Sequence, residues 1–175
     1  APPTTPAGVT WITLQARVGG PTIAHPQEAA MTVPSSSAEH APALEARPEM
    51  PGETVSRVAM TPAALELIRR LLPTHGPLMF HQSGGCCDGS APMCYPAGDF
   101  TTGAADVLLG TFALPAEGDQ DAVEIPFWMS AAQFEYWKHT HLTLDVVDGR
   151  GSGFSVEAPE GKRFLIRSRL MAGSG

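Results

Sequence analysis

No run of basic residues occurs anywhere in this chain of 175, where 11 Lys and Arg face 18 Asp and Glu for a net charge of -7. Without a positive patch there is little to attract a phosphodiester backbone or an anionic membrane surface, so nucleic acid and membrane are not expected as partners. Small molecules, metals and other proteins remain. No apolar run approaches the roughly 20 residues of a membrane span, and the N-terminal residues lack a charged segment followed by an apolar h-region. The expected location is therefore cytoplasmic. The chain also lacks a phosphate-binding glycine loop, a G-x-S-x-G elbow, an H-E-x-x-H pair and any internal repeat, which removes several large enzyme classes. Cysteine is scarce as well, with three in all.

Those three are crowded into one glycine-rich stretch, "FHQSGGCCDGSAPMCYP", Phe80 to Pro96. An odd cysteine count in a reducing compartment argues against a disulfide framework and for metal or thiol chemistry. A soft transition metal such as iron, zinc or copper, or an iron-sulfur cluster, takes thiolate sulfur with imidazole nitrogen as a common companion. Gly84, Gly85 and Gly89 give the backbone freedom to wrap such a centre, and Pro92 and Pro96 stiffen the return. Side chains of the adjacent Cys86 and Cys87 point to opposite sides of an extended backbone. The expected ligand set is therefore His81, Cys86 or Cys87, and Cys94, with a coordination position left open.

Three other readings use the same residues. Cys86 and Cys87 can join in a strained vicinal disulfide, making the loop a redox switch. A thiolate at Cys86 or Cys94 can act as nucleophile with His81 as base, attacking an aldehyde or its thiol adduct. Or the thiols are simply buried and the loop is the structural part of an interaction module. Around the loop, Asp88 and Asp99 can hold a ligand histidine in place or serve only as turn residues. His139 and His141, two apart, either complete a metal site or face solvent, and Phe127, Trp128, Phe134, Tyr136 and Trp137 form core or an apolar pocket lining.

Residues 1–52 are rich in Pro, Ala, Ser and Thr and read as a disordered leader, with "VTWITLQARV" as a lone strand-like stretch. A single domain is expected over 53–171, with a flexible tail at 172–175. In "MTPAALELIRRLLPTHGP", Thr61 suits an N-cap and Pro62 the first helical position, while Ala64, Leu65, Ile68, Leu71 and Leu72 fall on one face. Pro73 and Gly76-Pro77 should end that helix. "LMFH" follows as a strand, then "DVLLGTFAL" and "VEIPFWM", the latter demoted to an edge or bulged strand by Pro126. Ser130 starts a short helix with Gln133 as its capping partner, and "LTLDVV", "GFSVEA" and "RFLIRSRL" read as further strands. The sum is an α+β domain, mostly antiparallel, led by one long helix.

From about Val55 to Leu170, the segments "HGPLMFHQSGGCCDGSAPMCYPAGDF", "DVLLG", "MSAAQFEYWKHTHLTLDVVDGRGSGFSVEAPEG" and "RFLIRSRL" closely resemble the bacterial family known as domain of unknown function 779. Its members are often encoded beside aldehyde dehydrogenases, so the resemblance implies an accessory role in aldehyde or alcohol oxidation with such a dehydrogenase as partner. More distantly, the order of helix, strand, "GGCCDG" turn and a later acidic strand is similar to the HesB-like A-type iron-sulfur carriers. Asp145, Gly153, Phe154 and Pro159 stand at the matching places, and Cys86 matches the carriers' first cysteine. The carriers' C-terminal Cys-Gly-Cys is replaced by Arg167-Ser168-Arg169, so Cys87 and Cys94 would have to supply the remaining thiolates. This likeness implies a HesB-like fold and a metal or iron-sulfur site, with a homodimer if a second subunit fills the open position.

Overall fold

In "MTPAALELIRRLLPTH" the spacing of small and aliphatic residues produces helix α1, Pro62–His75, in the computed structural model of the protein. Thr61 caps it by accepting the Ala64 N–H at 3.2 Å, and Gly76, at φ 69°, closes it with its own N–H on the Leu72 carbonyl. The helix runs through Pro73 rather than stopping there, and it buries Ala64, Leu67, Ile68 and Leu71. The structure describes residues 40–85, 87–115, 121–151 and 153–172, which belong to one unit, Pro34–Gly175. The lone strand-like stretch in the leader, Cys86 and residues 173–175 lie outside the described residues.

Nine strands are described. Sheet A pairs β1 (Leu44–Glu45), β3 (Val58–Met60), β8 (Thr140–Asp148) and β9 (Lys162–Leu170) in that order. Sheet B runs β2 (Arg47–Pro48), β6 (Asp106–Leu114), β7 (Val123–Ser130), β4 (Leu78–Gln82) and β5 (Met93–Pro96). Each sheet contains one parallel pairing among antiparallel ones, β3 with β8 and β4 with β7. A second helix, α2 (Ala131–Trp137), is capped by the Ser130 hydroxyl on the Gln133 N–H at 3.3 Å. No helix among the described residues is long and apolar enough to cross a membrane.

This corrects the expected architecture. A HesB-like, mostly antiparallel α+β domain led by a long N-terminal helix is not what forms; strands dominate, in two mixed sheets, and the two helices are short, 14 and 7 residues. Four local expectations change too. Residues 44–48, placed in the leader, give one short strand to each sheet, with Ala46 buried between them. Met93–Pro96, placed in the cysteine loop, is strand β5. "GFSVEA" is a turn leading to a 3-10 helix at Ala158–Glu160 instead of a strand. Pro126 sits in β7, which is central rather than an edge. The register shows why it is tolerated: pairing with β4 begins only at Phe127, so the missing N–H falls beyond that ladder.

The core lies between the sheets. Phe80 of β4 stacks on Phe127 of β7 at 5.9 Å and meets Phe164 of β9 edge-on at 5.0 Å, so one ring ties both sheets together. Helix α1 is anchored by Asp145 of β8, which accepts the Thr61 hydroxyl at 2.9 Å, the Val146 N–H at 2.8 Å and Arg167 Nε at 2.6 Å. Burial pushes this carboxyl up, but the bonds from Arg167, Val146 and Thr61 outweigh it and hold Asp145 below the usual carboxylate range. A depressed folded pKa contributes stability above the unfolded value of about 3.9, and that contribution is lost as pH falls through the lower folded value. Urea midpoints measured from pH 6 to pH 2 should therefore fall in acid, and Asp145→Asn should be less stable at pH 6 with a shallower acid decline. An unchanged acid decline in the variant would show that other groups carry it.

Candidate functional site

Strand alternation along β4 sends Phe80 into the core and His81 to the opposite face of sheet B. His81 is nonetheless buried, 2% exposed, because Phe100 lies over its ring at 4.4 Å and Tyr95 stacks behind Phe100 at 5.1 Å. Both ring nitrogens are engaged. Nε2 lies 2.8 Å from Asp106 Oδ1 and Nδ1 lies 2.7 Å from the Ser83 hydroxyl. Asp106 opens β6 and reaches His81 across the intervening β7; its other oxygen accepts the Gly103 N–H at 2.8 Å. The bond from His81, then that from Gly103, holds the Asp106 carboxyl below its ordinary range.

An ionised carboxylate can only accept, so the proton between Asp106 and His81 belongs to Nε2. That fixes the neutral ring's tautomer and leaves the lone pair on Nδ1, which accepts the Ser83 O–H. Ser83 itself is exposed, at the point where β4 gives way to the glycine-rich loop. The assembly is a serine hydroxyl, a buried imidazole and a carboxylate linked in series, with the carboxylate oriented by a backbone donor.

The loop beyond is held down from several sides. Gln82 Nε2 donates to the Gly84 carbonyl, Trp137 Nε1 to the Gly85 carbonyl at 3.2 Å, and Ser90 Oγ to the Cys87 carbonyl at 2.6 Å. The Gly89 N–H bonds the Ile166 carbonyl, and Asp88 accepts from the Ser168 backbone and hydroxyl. Gly85 has φ 93°, and a Cβ there would collide with the Ser90 side chain, so only glycine fits.

Two of the residues expected to share a metal, His81 and Cys94, are not brought together. Cys94 is fully buried and pairs with Phe80 on the core face, whereas His81 lies on the other face of the same sheet. Burial and the nearby Glu157 push the Cys94 thiol well up, which disfavours the thiolate a metal requires. Cys87 is exposed in the loop, and Cys86 lies outside the described residues. Using His81 as a ligand would also break its bond to Ser83 or to Asp106. The described residues do not fit a common metal centre built from His81 and Cys94.

The remaining candidates are placed as follows. His141 is buried and bonded to Glu45 at 3.0 Å rather than facing solvent, and His139 is exposed. Asp88 fastens the loop to β9, and Asp99 is exposed. Of the aromatic set, Phe127 and Trp137 are core, Trp128 and Phe134 are half-buried, and Tyr136 is exposed. Reading the chain for cysteine chemistry missed Ser83 and Asp106. Ser83 carried a signal, since it is two residues beyond His81 and so on the same side of an extended chain. Asp106, 25 positions away, had none without the strand pairing.

Searches among curated proteins and among solved structures returned no match. The family comparison did: residues 67–170, well over half of the chain and spanning His81, Ser83 and Asp106, match the family described as Domain of unknown function. The protein belongs to that family, DUF779.

Proposed function

We propose that the protein is an enzyme of carbonyl chemistry, in which His81 serves as general base for a nucleophile carried at the start of the glycine-rich loop. Its substrate is an aldehyde adduct or another activated carbonyl compound, and its setting is support of an aldehyde or alcohol dehydrogenase in the cytoplasm. The observation that carries this reading is the engagement of His81 on both nitrogens, carboxylate on one side and an exposed hydroxyl on the other, at 2.8 and 2.7 Å. Those distances lie within the reach a general base needs, and a positioned imidazole base contributes on the order of 10²–10⁴-fold in rate.

Turnover of p-nitrophenyl acetate, an activated ester open to any base-assisted nucleophile, provides the test. His81→Gln should lower it by about 10²–10⁴-fold while circular dichroism stays unchanged. Equal turnover in the variant would overturn the base assignment. Elemental analysis of anaerobically purified protein addresses the metal-delivery reading. Stoichiometric iron, zinc or copper that disappears in Cys86→Ser would favour delivery of a metal to the dehydrogenase over catalysis here.

A further inference from the structure

The geometry points to Ser83 as the group that His81 activates: we propose that Ser83 Oγ is the nucleophile of an acyl-transfer site that hydrolyses esters or thioesters through an acyl-serine. This rests on the reading of His81 as base and goes beyond it by naming the nucleophile, the covalent intermediate and the substrate class. Asp106 is the positioning residue, acting through His81.

Two independent features converge. First, in the neutral ring the hydrogen-bond directions follow from Asp106: it accepts from Nε2–H, so Nδ1 accepts from Ser83 O–H. That is the direction in which a serine proton must travel when the hydroxyl attacks. Second, burial is graded in the required sense. His81 is closed off beneath Phe100, Asp106 is 15% exposed at its side chain, and Ser83 is exposed where a substrate can reach it. Cys94 cannot play the nucleophile for this base, since it projects from the other face of the sheet.

The reaction balances with water as the only co-reactant. Ser83 Oγ forms a bond to the acyl carbon while its proton passes to His81 Nδ1. The tetrahedral adduct collapses, the bond to the alcohol or thiol breaks, and that leaving group takes the proton from Nδ1. Water then attacks the acyl-serine, its proton again passing to Nδ1. Collapse returns the proton to Ser83 Oγ and releases the acid.

The full-length chain is treated with a fluorophosphonate and, separately, with p-nitrophenyl acetate, and the products are mapped by peptide mass spectrometry. The expected result is one phosphonyl or acetyl group on Ser83, a stoichiometric burst of p-nitrophenol, and loss of both in Ser83→Ala. Turnover in that variant should fall by at least about 10²-fold. If Ser83→Ala turns over like the unaltered protein while His81→Gln does not, the serine merely orients the ring; this proposal falls and the base reading stands with a loop thiol as nucleophile. Adducts on Cys86 or Cys87 instead of Ser83 would overturn it in the same way. No adduct and no rate above buffer would sink both.

Discussion

Asp106→Asn is expected to leave the fold intact and to slow phosphonylation of Ser83 on the order of 10⁴-fold, the size associated with forcing a catalytic imidazole into its wrong tautomer. The reason lies in the Gly103 N–H. It donates to Asp106 Oδ2 at 2.8 Å, and an asparagine amide must keep its single oxygen there, because turning it around would set NH₂ against N–H. The NH₂ group then faces His81 Nε2, which must give up its proton in order to accept. The ring proton moves to Nδ1, and the imidazole donates to Ser83 instead of accepting from it. A ring in that state cannot take the hydroxyl proton. Nitrogen-15 NMR of the histidine ring reads this transfer directly, with the N–H signal of His81 moving from Nε2 to Nδ1. Retention of the Nε2–H signal, together with less than a tenfold rate change, would show that Asp106 does not orient the ring.

The largest loss of stability is expected at Phe80. Its ring is fully buried and touches aromatic partners from both sheets, Phe127 at 5.9 Å and Phe164 at 5.0 Å. Truncation removes transfer free energy and leaves a cavity whose walls belong to different sheets, so neither wall can collapse without moving a whole layer. Phe80→Ala should cost about 3–5 kcal/mol. For a domain of this size that corresponds to a drop of roughly 6–20 °C in melting temperature. Phe80→Leu, which retains most of the volume, should cost under half as much. Calorimetry of the three proteins checks the order; a loss below about 1 kcal/mol for the alanine variant would mean that the two sheets do not rely on this contact.

Much of the local structure could be read along the chain because it depends on neighbours in sequence. The Thr61 and Ser130 caps, Gly76 after the first helix, and the strands at Leu78, Asp106 and Val123 follow from cap chemistry and alternation. What alternation does not report is which strand lies beside which. The two parallel pairings join segments more than forty residues apart, and they turn the expected antiparallel layer into two mixed sheets. The site shows the same division. His81 stood out from its place beside the cysteines, but its partner Asp106 becomes a neighbour only once β6, β7 and β4 are laid side by side. Cys94 misled for a related reason. Proximity in sequence to Cys87 suggested a shared site, whereas strand β5 turns its side chain into the interior.

The sealed position of Cys94 also makes the protein a gauge of its own breathing. A maleimide or disulfide reagent can reach that sulfur only when the packing around β5 opens, so its slow modification under native conditions times this opening event. Reagent consumed quickly by surface sulfur and reagent consumed slowly here would separate as two kinetic phases, and the slower one would lengthen with any compound that clamps the sheet.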